Sequence, residues 1–174
     1  MTTTSQARVP WASELEAVLN ALIASHEQML VAVAHHREAI AQADPAALGR
    51  SMQEQKALLQ RIAEAESARQ ALVRRIVESD RDLRAADRAG LPPPKIAQLA
   101  ESLRGAAKER LLELGGRLRQ LVERVQTEQG RVRLAAETLA QHMQGLARQV
   151  SRALSPAGTY GPRNAPSNTH ALTL

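Results

Sequence analysis

Cysteine is absent from this 174-residue chain, and so is phenylalanine; Trp11 and Tyr160 alone make up its 1% of aromatic residues. Without cysteine, disulfides and thiolate metal sites are excluded and nothing argues for an oxidising compartment. Without rings a compact globular core lacks its bulkiest fillers, whereas Leu, Ala, Val and Ile suit the narrow seams between helices. The opening residues MTTTSQARVPWASELE contain no apolar run of the about 7 to 15 residues typical of a signal peptide. Elsewhere no uninterrupted apolar stretch is long enough to span a bilayer. A soluble, cytoplasmic protein with no membrane insertion is expected.

Catalytic signatures are missing as well. There is no GxxxxGK phosphate loop and no GxGxxG, and none of the five histidines (His26, His35, His36, His142, His170) belongs to an HExxH motif or follows a Glu by three residues. Spacing alone leaves a Ser–His–Asp grouping open, but helix seams offer no deep pocket to house one. The expectation is a protein that is not an enzyme, with no cofactor and no metal.

What is present in quantity is Ala, Leu, Glu, Arg and Gln, all good helix formers. The reading is all-α: an elongated antiparallel helical hairpin or bundle with a long third helix and coiled-coil-like packing. Residues 14–43 carry four acids (Glu14, Glu16, Glu27, Glu38) against Arg37, a balance of −3, while residues 102–154 carry ten Arg or Lys against five Glu, a balance of +5. The overall charge of +5 and pI near 10.6 therefore reflect one basic helix interleaved with Glu. Solvated faces and attraction between oppositely charged antiparallel helices account for it without nucleic acid.

Taken in order, the chain divides into a flexible start (1–12), a helical domain (13–154) and a flexible tail (155–174). Ser13 and Glu16 form an S-x-x-E capping box, so helix one is expected over about 13–43. Its seam reads Leu15, Leu19, Leu22, His26, Met29, Val33, His36, Ile40, a strict heptad. The ten-residue gap between His26 and His36 is too long for both to hold one ion from a single helix, so both are read as seam-edge hydrogen-bonding residues. Asp44 as N-cap and Pro45 as first helical residue start helix two, about 45–89, which must fold back antiparallel. Its stripe is interrupted around Glu64 to Gln70, and its distal half reads as more exposed and mobile than its base. GLPPP at Gly90 to Pro94 is the clearest break.

Helix three, about 95–154, would run on the order of 90 Å if unbroken. Gly115–Gly116 or Gly130 are the expected kinks. The stripe steps four and then four across Glu128, Val132 and Ala136, a slip that suggests the last segment faces something other than the hairpin. That segment, VRLAAETLAQHMQGLARQVSRAL, is amphipathic, and Leu139, Met143, Leu146 and Val150 supply the i, i+4, i+7 anchors of a helix laid against another protein's helices. The tail SPAGTYGPRNAPSNTHALTL has no periodicity, and Tyr160 is its only large side chain.

Three features in this order resemble the FlgN family of flagellar export chaperones. They are the hairpin LEAVLNALIASHEQMLVAVAHHREAIAQADPAALGRSMQEQKALLQRI, the helix VERVQTEQGRVRLAAETLAQ, and the turn TYGP at Thr159 to Pro162. The second is similar to the family's N-x-x-N-G-x-L segment, with Gly130 in the glycine place, but Val125 and Gln129 stand where Asn is usual. The resemblance spans about residues 14–162 and implies a cytoplasmic chaperone for hook–filament junction proteins. It implies that the C-terminal helix binds the client's helical C-terminal part, which falls here on Val132, Leu139, Met143, Leu146, Val150 and Leu154. It also implies that Tyr160 docks on the cytoplasmic domain of the export gate. When client-free, the stripe would be covered by self-association. The competing readings are a homodimeric coiled-coil adaptor and, behind it, a basic helical nucleic-acid binder using Arg117, Arg119, Arg124, Arg131 and Arg133.

Overall fold

The structure, a computed structural model, describes residues 10–154, all-α throughout, in five helices: α1 (Pro10–Ala41), α2 (Pro45–Ser79), α3 (Arg81–Arg88), α4 (Ile96–Glu101) and α5 (Ala106–Leu154). The chain divides into two compact units, Met1–Ala136 and Glu137–Leu174. The fold of the first follows from a few local signals and two core clusters.

Helix α1 starts at Pro10, three residues before the expected capping box at Ser13. Proline lacks the N–H that a first helical residue would leave unsatisfied, and the earlier start lets Ala12 enter the core while Trp11 packs against it. Leu15, Leu19, Leu22, Met29 and Val33 are buried as the heptad implies, joined by Ile23, Ala32 and Ala39. The buried arc is thus wider than a two-helix seam, because α1 has partners on two sides. An 18-residue window of α1 reaches a mean hydropathy of 1.4, long and apolar enough by composition to cross a membrane. Within this fold its buried side chains enter two clusters, Ala12, Leu15, Leu19 and Ile23 with residues of α2, α4 and α5, and Met29, Ala32 and Val33 with residues of α2 and α5.

The turn into α2 is built as expected. Ala43 adopts φ 50°, and the Asp44 carboxylate accepts the amides of Ala46 (2.9 Å) and Ala47 (3.0 Å) ahead of Pro45. The Ala47 amide is the main reason the Asp44 carboxyl titrates below its ordinary range. His36 Nδ1 lies 3.0 Å from Ser51 Oγ, whose own proton goes to the Leu48 carbonyl at 2.9 Å. The serine is therefore the acceptor and His36 carries its proton on Nδ1. His26 likewise donates from Nδ1 to the Leu22 carbonyl, 2.8 Å away. Both histidines have the local hydrogen-bonding role read from the seam.

The second helix is two. Asp80 caps the end of α2 and its carboxylate accepts the amides of Asp82 (2.9 Å) and Leu83 (3.0 Å) to begin α3. The distal half of α2, expected to be the more exposed, instead buries Leu72, Val73, Ile76 and Val77 with Leu99, Leu103, Leu111 and Leu114. The interruption between Glu64 and Gln70 is filled by an ion pair: Arg69 donates to both Glu66 oxygens at 2.6 and 2.8 Å. That pairing, ahead of every other cause, holds the Glu66 carboxyl below its usual range and raises Arg69.

GLPPP ends α3 as expected. Gly90 at φ 75° donates to Asp87 O (2.9 Å) and Leu91 to Ala86 O (3.2 Å), the paired bonds of a Schellman motif. The third helix, however, is broken at residues 102–105 rather than at Gly115–Gly116 or Gly130. Gly105 takes φ 61° there, a left-handed conformation that glycine adopts without Cβ strain. α5 runs unbroken through the other glycines.

The Gly115 pair has a different use. A Cβ on Gly115 would meet Ile96 Cγ2 at 3.2 Å, so the missing side chain lets α4 seat on α5; a Cβ on Gly130 would meet nothing within 4 Å. Gly130→Ala is accordingly expected to stabilise the chain by about 0.5–1 kcal/mol. Gly115→Ala should gain little or lose, because Ile96 must move. Thermal melts of the two variants check this, and equal gains would show that α4 does not rest on Gly115.

Three ion pairs fix the direction of α5 beside α1 within the first unit. Glu16 meets Arg110 at 3.6 Å, Glu27 meets Arg117 at 2.5 Å, and Arg37 meets Glu128 at 3.6 Å. The numbers rise together, so α1 and α5 run parallel. The acidic α1 does face the basic α5, but parallel to it rather than in the antiparallel sense expected: α2 runs back along α1, with Arg75 beside Glu14 and Arg61 donating to Gln28, so α5 sets out from the end where α1 began. In each pair the arginine stays exposed to water, and pairs screened in this way contribute little stability each. They report register.

Candidate functional site

The apolar stripe of α5 divides at Val132. Up to that point its large residues are scaffold: Leu111, Leu114, Leu121 and Val125 are buried, and Val132, 8% exposed, joins Met29, Ala32, Val33, Leu58 and Val125 in a second core cluster, with Ile40 packed against it. Val132 is therefore taken up by the hairpin of its own chain. The four-then-four step read from the sequence begins beyond it, since Val125 and Val132 stand seven residues apart on one covered seam.

In the second unit the described helix covers residues 137–154, and from 137 to 153 every described side chain is exposed. Leu139 is 41% exposed, Met143 59%, Leu146 56% and Val150 55%. At 100° per residue these four fall within an arc of about 60°, a narrow continuous stripe. Isolated exposed apolar residues are ordinary, but four aligned ones are the pattern of a surface that another molecule covers. Leu154 continues the spacing at the last helical residue. Tyr160 lies outside the described residues.

The chemistry available on this stripe is burial. Each Leu, Val or Met side chain taken from water contributes about 1.5–3 kcal/mol, and the unbranched thioether of Met143 adapts to partners of differing shape. Glu137, Arg148 and Arg152 belong to the same segment and supply charge around the apolar arc. No group of three or more His, Asp or Glu side chains able to hold a metal occurs among the described residues.

A second concavity lies in the first unit and was not foreseen. A cleft of about 880 Å³ opens between α2, the Pro93–Pro94 segment, α4 and α5. The helix seams read from the sequence offer no deep pocket, so this cleft departs from that reading. The short α4, which ends at the unforeseen break, holds Ile96 against Gly115 and frames the opening. The one sequence signal for it was the Gly115–Gly116 pair, read there as a kink.

A protein-family model described as FlgN protein matches residues 1–168 of the chain. Comparison with curated proteins and with solved structures finds no match.

Proposed function

The chain belongs to the FlgN family of flagellar export chaperones, and from that premise we propose that it binds hook–filament junction proteins through the C-terminal part of α5. The client's helical C-terminal region lies along Leu139, Met143, Leu146 and Val150, and the contact runs on to Leu154. Val132, assigned to the client by resemblance, is left to the scaffold because it is already buried. The chaperone keeps its client unassembled in the cytoplasm and delivers it to the cytoplasmic domain of the export gate, where Tyr160 docks. It does so without catalysis or a cofactor, and with no part for nucleic acid.

The observation that carries this reading is the aligned exposure of four large apolar side chains on one helix arc. A solvent-facing helix of a finished monomer has no use for such a stripe, whereas helix-in-groove recognition depends on it. When no client is bound, self-association would cover the same face, so client and second copy should compete. A homodimer that persists at nanomolar concentration in sedimentation, undisturbed by saturating client segment, would favour the adaptor reading instead.

The two surfaces separate by mutation. Tyr160→Ala is expected to leave client retention in a pull-down unchanged while secretion of the junction protein falls. Export equal to that of the unmodified chain would remove the docking role from Tyr160.

A further inference from the structure

The cleft between α2, α4 and α5 has the composition of a binding site that the export reading does not use. Its volume of about 880 Å³ lies toward the upper end of the range of about 300–1,000 Å³ common for ligand sites. Its walls are apolar where Val73, Ile96, Leu112 and Leu118 face it, and Pro93 and Pro94 stiffen one side. Four cations stand among its lining residues, and they are not equivalent. Arg69 is neutralised by its two-point pairing with Glu66. Arg74, Lys95 and Arg119 take part in no ion pair among the described residues.

Gly116 adds to this by its place, since Gly130 and Gly145 are equally open glycines of α5 and do not line the cleft. A mid-helix glycine costs about 1 kcal/mol relative to alanine, and here the chain itself gains nothing from it: its φ is not positive, and an added Cβ would meet nothing within 4 Å. Gly115 is different, since Ile96 occupies the space beside it. Gly116 lines the cleft, so the bare backbone there faces open space in which another main chain could approach closely.

We propose that this cleft is a docking groove for a short acidic amphipathic helix of a protein partner, distinct from the client stripe of α5. The lining positions on α5 run from Leu111 to Arg119, about 12 Å at 1.5 Å per residue, which accommodates roughly two helical turns. Apolar anchors of the partner fill the space against Val73, Ile96 and Leu112, its backbone passes over Gly116, and its carboxylates meet Arg74, Lys95 and Arg119. The charge complementarity selects an acidic helix over the chain's own basic α5. A second copy seated through that helix would place like charges together.

The test uses the full chain and a fluorescein-labelled synthetic helical peptide with leucines at i, i+3, i+4 and i+7 flanked by glutamates. Its twin carries lysine at every glutamate. Fluorescence anisotropy is expected to show the acidic peptide binding at least about tenfold more tightly than its twin. Gly116→Leu, which fills the groove from an exposed helix position, and the triple variant Arg74→Glu, Lys95→Glu, Arg119→Glu should each weaken it by at least about tenfold, with unchanged circular dichroism. Replacing the four stripe residues of the second unit by alanine should leave peptide binding intact, so the failure of either site is visible apart from the other. No binding up to millimolar peptide, equal affinity for the twin, or indifference to Gly116→Leu would overturn the proposal. So would tighter binding of a 20-nucleotide single-stranded RNA released by the same substitutions.

Discussion

Replacing Leu139, Met143, Leu146 and Val150 together by alanine is expected to abolish binding of the client's C-terminal helical segment, with affinity falling by more than about 100-fold. Each side chain contributes about 1.5–3 kcal/mol when buried in a complex. Even heavily discounted for the costs of association, four truncations remove more than the about 2.7 kcal/mol that a 100-fold change requires. Stability should hardly change. The four residues are exposed, exposed substitutions typically shift stability by no more than about 0.5 kcal/mol each, and alanine retains the helix. Calorimetry on the variant, beside its melting curve, reads both quantities at once. A variant that melts normally and binds normally would take the stripe out of client recognition.

The opposite pattern is expected in the scaffold. Leu111→Ala empties a site on α5 where the side chain is fully buried among α1, α2 and α4 residues. The loss should be about 2–5 kcal/mol, or roughly 5–15 °C in Tm for a chain of this size. Against a typical total of about 5–15 kcal/mol, one methyl-rich side chain decides much of the fold's stability. Below the lowered melting temperature the client affinity of the folded molecules should be unchanged. A Leu111→Ala protein that melted as the parent does would mean that the layered core of the first unit is wrongly drawn.

Set side by side, these variants mark where the sequence could and could not be read. Local chemistry was legible: the Asp44–Pro45 start, the Gly90 stop and the covered heptad of α1 each depend on residues within a few positions. The break at Asp80 was also local, yet helix-forming composition on both sides masked it. The parallel course of α5 beside α1 follows from the antiparallel hairpin, because a third helix that sets out where α2 ends runs in the direction of α1. What helix-forming composition hid is the turn itself, the short α4 and the two loops around it, with Gly105 at a positive φ.

Val132 shows the same limit at the site itself. It continues the spacing of Leu139, Met143, Leu146 and Val150, so periodicity groups all five, and resemblance assigned them alike. Burial separates them. Gly115 is the converse case, a residue whose meaning depends on Ile96, a neighbour nineteen positions away in sequence and 3.2 Å from where its Cβ would stand.

The division of labour within α5 can be measured directly by amide hydrogen exchange on the full chain, with and without the C-terminal helical segment of a hook–filament junction protein. Added client is expected to slow exchange across residues 137–154 and to leave 106–132 and the α1–α2 hairpin unchanged. Protection appearing in the hairpin, with 137–154 exchanging as fast as before, would contradict the account.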